Sequence, residues 1–112
     1  MHITIEALEA YLAQRYGGWA KEESMFMKLV EEMGEVAEVL NKKVGRKAND
    51  EDDLNEHLGI ELADMLHYIL AIAALNNLDM ERIILEKDKK ASIKYNHHIN
   101  LEQFLQKGDF SL

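Results

Sequence analysis

The sequence contains no cysteine and no proline. Without cysteine there can be no disulfide framework, no thiolate metal site and no thiol nucleophile, which fits a reducing, cytoplasmic setting. With no proline, and with six glycines scattered through 112 residues, nothing reads as a linker, so a single domain over 1–112 is expected. Positive charge is also scarce: 13 Lys and Arg face 21 Asp and Glu, a net charge of −8. That balance opposes a general nucleic-acid-binding role, which needs a basic surface to displace counterions from phosphates. The N-terminal stretch Met1–Glu6 lacks the basic and apolar regions of a signal peptide. The apolar run Met65–Leu75 is too short to span a bilayer. No membrane association is expected.

What the chain has in quantity is apolar surface at helical spacing, with 47% hydrophobic residues. A domain of this size buries only roughly two-thirds of the surface its unfolded chain exposes, so further burial in a homodimer or homotetramer is expected. Ile5, Leu8, Tyr11, Leu12 and Tyr16 mark a first helix over 4–16, broken by Gly17-Gly18. A second helix starts near Glu22–Ser24 and runs to about Asn41 on one continuous stripe of Phe26, Leu29, Val30, Met33, Val36, Ala37 and Leu40. The Lys42–Asn49 stretch reads as a loop. The dense acids Asp50-Glu51-Asp52-Asp53 suit a solvated loop or the start of a third helix, which extends to Asn76-Asn77. Between Met65 and Leu75 this helix is apolar nearly all round, the pattern of a helix buried on most sides. Asp79 is an expected N-cap for a fourth helix over 80–95, and a short helix follows Asn100. No strand alternation is present, so the fold class is all-α, most simply a helical bundle.

Two helices each carry an i, i+3 pair of carboxylates: Glu32 and Glu35 in Glu31-Glu32-Met33-Gly34-Glu35, and Glu61 and Asp64 in Glu61-Leu62-Ala63-Asp64. Residues three apart lie on one helix face, about 5–6 Å between Cβ atoms, so each pair can converge on a cation. Four oxygen-bearing side chains suit Mg²⁺ or Mn²⁺, with waters and phosphates completing the octahedron. On a helical wheel Glu32 lies at the edge of the apolar stripe and Glu35 nearly opposite its centre, a placement that, taken alone, better suits a solvated face. Glu61 and Asp64 share a line with His57, Tyr68 and Leu75 and flank the most apolar segment. Ionised there they need a counter-charge, and no Lys or Arg occurs between Lys47 and Arg82. Gly34 is compatible with close helix packing or ligand approach beside Glu35, or with a tolerated defect.

Glu-Glu-x-x-Glu, a spacer, then Glu-x-x-Asp resembles the signature of the MazG-like all-α nucleotide pyrophosphohydrolase superfamily, over roughly residues 19–95. The resemblance implies a four-helix core completed by homo-oligomerisation, and hydrolysis of nucleoside triphosphates to the monophosphate and pyrophosphate, a nucleotide-pool house-cleaning reaction. It further implies Glu32, Glu35, Glu61 and Asp64 as Mg²⁺ ligands, with Mn²⁺ as a substitute, and Glu31 as an outer acid or base. Trp19, just before the second helix, is placed like a family aromatic that stacks on the base, although a core anchor is the plain alternative. The segment Lys87–Tyr95 resembles the family's basic phosphate-binding helix through Lys87, Lys90 and Lys94. It departs from that pattern with Ala91 in place of asparagine and Lys94 in place of arginine.

The reaction expected from this resemblance is attack by water, deprotonated with help from Glu35 or Glu31, on a phosphorus of the nucleotide, with the carboxylates holding the cations that neutralise the triphosphate. Two other readings suit parts of the pattern. A di-iron or di-manganese carboxylate bundle needs two Glu-x-x-His pairs, whereas this chain offers only Asp64-Met65-Leu66-His67. A non-catalytic helical dimer or adaptor would use the same acids to bridge to basic residues of a partner.

Overall fold

Local signals start and stop the helices. The computed structural model describes residues 1–108, and these form α1 (Ile5–Tyr16), α2 (Glu22–Lys43), α3 (Leu54–Leu75), α4 (Met80–Lys94) and α5 (Leu101–Gln106). No strand occurs among the described residues, so the fold is all-α. The Thr4 hydroxyl caps α1 by accepting from the Ala7 amide at 3.0 Å. Gly17 ends it, because its backbone turns extended at ψ 135° while its amide still donates to the Ala13 carbonyl at 2.8 Å, an oxygen with which a Cβ there would collide. Gly18 then turns the chain at φ +86°, open to glycine without strain. Asp53 and Asp79 cap α3 and α4 by accepting from Glu56 and Arg82 amides at 2.9 and 3.1 Å.

Several boundaries differ from the sequence reading. α2 runs two residues past Asn41, with Lys42 and Lys43 in its last turn, where cations suit the helix dipole. The acidic cluster Asp50–Asp53 precedes α3 instead of opening it, and Tyr95 caps α4 instead of belonging to it.

The chain divides into two compact units, Met1–Leu78 and Asp79–Leu112. In the first, α2 and α3 pair antiparallel. Lys43 at the end of α2 donates to Asn55 at the start of α3 at 2.5 Å, and Asn76 after α3 donates to Glu22 at the start of α2 at 2.7 Å. α1 lies against α3, where the Tyr16 hydroxyl meets His67 Nε2 at 2.6 Å. Leu12, Val39 and Leu70 are fully buried, each contributing about 1.5–3 kcal/mol by burial. In the second unit α4 and α5 pack together, and Asp88 accepts the Leu101 amide at 2.6 Å.

The continuous apolar stripe expected on α2 resolves into two parallel seams. Met25, Leu29, Glu32, Val36 and Val39 are shielded, whereas Phe26, Val30, Met33 and Leu40 are exposed. A similar split corrects the expectation for α3. Leu70, Ala71, Ala73 and Ala74 are buried, but Leu62, Leu66 and Ile69 remain exposed, because a neighbouring helix shields only the face it packs on. A Cβ at Gly34 would meet open space, so no helix in the chain requires glycine there. By length and composition α3 as a whole is long and apolar enough to cross a bilayer, which the run Met65–Leu75 alone is not. Glu61 and Asp64 sit near its middle, and charges at that depth are costly in lipid.

Candidate metal centre

Pairing of α2 with α3 decides where the acids go. Glu32 belongs to the shielded seam of α2 and is half-buried, as are Glu61 and Asp64 on α3; Glu35, one turn after Glu32, is exposed. Ligand atoms of Glu32, Glu61 and Asp64 lie within 4.8 Å of one another, and so do those of Glu35, His57 and Glu61. Glu61 is common to both groups, so the four carboxylates singled out in the sequence gather around it.

The cluster is electrostatically crowded. Glu32 is pushed up to about 7, first by its contact with the Glu61 carboxyl, then by burial and by the charges of Glu61, Asp64 and Glu35. The Glu61 side chain is only 14% exposed, and its Oε2 is closed off from solvent with no hydrogen-bond partner. A buried carboxylate oxygen left unpaired is costly. A small hard divalent cation supplies what such a set lacks, and oxygen donors of this kind suit Mg²⁺ or Mn²⁺. The residues therefore fit a divalent cation.

His57, one helical turn before Glu61, was not among the expected site residues. Its Nε2 lies 3.3 Å from Glu61 Oε1, and its Nδ1 lies 2.5 Å from Glu51 Oε1. Glu51 in turn accepts from Lys42 Nζ at 2.8 Å, and the same ammonium reaches Asp50 at 3.1 Å. Lys42 holds the Glu51 carboxyl below its usual range against the opposing effect of burial, with His57 adding to the effect. Glu51 and Asp50 push Lys42 up to about 12. Burial pulls His57 down, but Glu51 and Glu61 outweigh it and the imidazole is raised. The reading of Asp50–Asp53 as a solvated loop or helix start thus holds for exposed Asp52 and for Asp53, the N-cap of α3, whereas Glu51 is half-buried and paired. The i, i+4 spacing of His57 and Glu61 was the available signal.

The remaining expected residues belong to neither group of ligand atoms. Glu31 is exposed, 3.4 Å from Lys28, in a shallow depression of about 300 Å³ that Glu23, Ser24 and Met27 also line. Trp19 is 68% exposed; its Nε1 donates to the Arg15 carbonyl at 2.8 Å and its ring lies 5.7 Å from Tyr16. It is therefore not a buried core anchor. Tyr16, His67 and Tyr68 continue this aromatic group, and the charges of Glu32 and Asp64 act on the Tyr68 hydroxyl, which burial raises first. Burial and the charge of Arg15 lower His67, which lies outside both groups of metal-competent side chains among the described residues. Lys87, Lys90 and Lys94 are exposed on α4 in the second unit, and Lys94 sits 5.3 Å from the Tyr95 ring centroid.

The MazG nucleotide pyrophosphohydrolase domain matches residues 20–99 of the chain. Among solved structures, the crystal structure of iMazG from Vibrio DAT 722 is similar at 26% identity and a TM-score of 0.63, covering 85% of this chain and 100% of that one. Comparison with curated proteins gave no match.

Proposed function

The chain belongs to the MazG nucleotide pyrophosphohydrolase family, and on that premise we propose that it hydrolyses ribo- or deoxynucleoside triphosphates to the monophosphate and pyrophosphate with Mg²⁺, or Mn²⁺ in its place. The observation that carries this reading is the gathering of Glu32, Glu35 and Asp64 about Glu61, one of whose oxygens is buried and unpartnered. Glu32, Glu61 and Asp64 are the ligands we assign, with Glu35 at the exposed edge. When bound, the cation supplies neutralisation of the phosphate oxygens and acidifies water.

Phosphoanhydride hydrolysis is mostly positioning and charge neutralisation, and the chain's own residues divide that work. Glu35, exposed beside the cluster, takes the proton of the attacking water at its carboxylate. Glu31 is the second candidate for that base, and its pairing with Lys28 makes it the weaker one. Lys87, Lys90 and Lys94 meet phosphate oxygens through their ammonium groups, and the open face of Trp19 stacks on the base. A second copy of the chain covers the exposed seam of Phe26, Val30, Met33 and Leu40, in a homodimer or homotetramer. A single domain over 1–112 and a cytoplasmic setting belong to the same proposal; the family match over 20–99 includes residues of both units.

A panel of nucleoside triphosphates incubated with the protein and Mg²⁺ or Mn²⁺ tests this reading. Monophosphate and pyrophosphate in equal amounts, absent with EDTA, are the expected products. Diphosphate and orthophosphate would contradict the assigned bond. No turnover together with no Mg²⁺-dependent thermal stabilisation would favour a non-catalytic adaptor.

A further inference from the structure

Glu61 is the carboxylate on which both groups of potential ligands depend, and its two oxygens have different surroundings. Oε1 faces His57 Nε2 at 3.3 Å, and Oε2 is buried with no partner. The imidazole that meets Oε1 cannot turn freely, because Glu51 grips its other nitrogen at 2.5 Å. Glu51 is anchored through its second oxygen by Lys42 at 2.8 Å, from the last turn of α2. A line of polar contacts therefore runs from the end of α2, through the loop before α3, to the side of Glu61.

We propose that His57 is a positioning residue for Glu61, held in register by Glu51 and Lys42, so that the Lys42–Glu51–His57–Glu61 chain presents the free Glu61 oxygen to a divalent cation. The inference rests on the metal reading above and adds to it three residues that are not themselves assigned as ligands. Its physical basis is that a flexible glutamate binds a cation well only when its rotamer is already selected. Contacts behind a ligand do that selecting, and their loss typically lowers metal affinity about 10–100-fold. The anchors also sit at both ends of the loop joining α2 to α3, so the pairing that brings the four carboxylates together also orients the central one.

Mn²⁺ affinity of the full chain, followed by electron paramagnetic resonance, tests this, with the metal-free melting temperature measured in parallel. His57→Asn places an amide where Nδ1 reaches Glu51 but cannot reach Glu61, and is expected to weaken Mn²⁺ binding about 10–100-fold. His57→Gln places its amide nitrogen near the position of Nε2 and is expected to stay within about threefold of wild type, a rescue that a purely structural role would not give. Glu51→Gln is expected to weaken Mn²⁺ about tenfold from outside the carboxylate cluster. Combined with His57→Asn it should add little, because the two act in series. If His57→Asn fails to fold by circular dichroism, Glu51→Gln decides. Should Glu61→Gln weaken Mn²⁺ while His57→Asn and Glu51→Gln stay within about twofold of wild type, the positioning role is overturned and the metal centre stands. Absence of Mn²⁺ binding by the wild-type chain overturns the metal reading, and this inference with it.

Discussion

The two carboxylate pairs share a spacing and differ in what surrounds them. Glu61 and Asp64 are both half-buried on α3, whereas on α2 Glu32 is half-buried and Glu35 is exposed. Water can solvate Glu35 whether or not a cation is bound. Glu61 has one oxygen sealed away and unpartnered, a position that a bound cation would fill. In the proposed centre the α3 pair is therefore the stronger requirement, and of the α2 pair only Glu35 lies exposed.

The largest expected effect follows from that asymmetry. Glu61→Gln or Asp64→Asn should lower turnover on the order of 10³-fold, several kcal/mol of lost charge stabilisation. Glu35→Gln should cost about 10²-fold as loss of a general base, and steady-state kinetics on the three variants would break the comparison if Glu35→Gln proved the most damaging. Glu31→Gln should cost about tenfold or less, since its carboxylate faces Lys28 outside the cluster. The reverse order of Glu31 and Glu35 would exchange their assigned roles.

The smallest effects are on stability, and they have a defined sign. Glu32 rises from an ordinary 4.5 to about 7 on folding, so between those values the folded state holds more protons and stability falls as pH rises. His57, also raised, contributes stability that is present below its ordinary value and lost as pH climbs through its folded value. These two act in one direction, while His67, lowered by burial, opposes them up to its ordinary value of 6.5. The melting temperature of the metal-free protein should therefore fall from about pH 6.5 to about pH 8, and added Mg²⁺ should recover more of it at the upper end. Glu32→Gln should melt above wild type at about pH 8 without metal, and flatten the pH dependence. Differential scanning calorimetry with and without Mg²⁺ reads all three expectations.

Much of this was legible in the chain. The i, i+3 acids, the helical periods, the Gly17-Gly18 break and the Asp79 cap are local signals, and local signals fix local structure. Less legible was which seam of α2 would be covered. The stripe from Phe26 to Leu40 looked continuous because a wheel records apolar positions without recording the partner. Once α2 pairs with α3, Met25, Leu29, Glu32, Val36 and Val39 are shielded, and Phe26, Val30, Met33 and Leu40 are left outside. Glu51 was hidden for the same reason. Four consecutive acids resemble a solvated run, and only the return of the chain beside Lys42 pairs two of them, Asp50 and the half-buried Glu51.

The most direct test of the central claim is the rate of monophosphate and pyrophosphate release from a nucleoside triphosphate that the protein turns over, measured with saturating Mg²⁺ for wild type and Glu61→Gln. The account predicts turnover that EDTA abolishes, lowered on the order of 10³-fold in the variant while its circular dichroism spectrum is unchanged. Turnover by folded Glu61→Gln equal to wild type would contradict a metal centre built around that carboxylate.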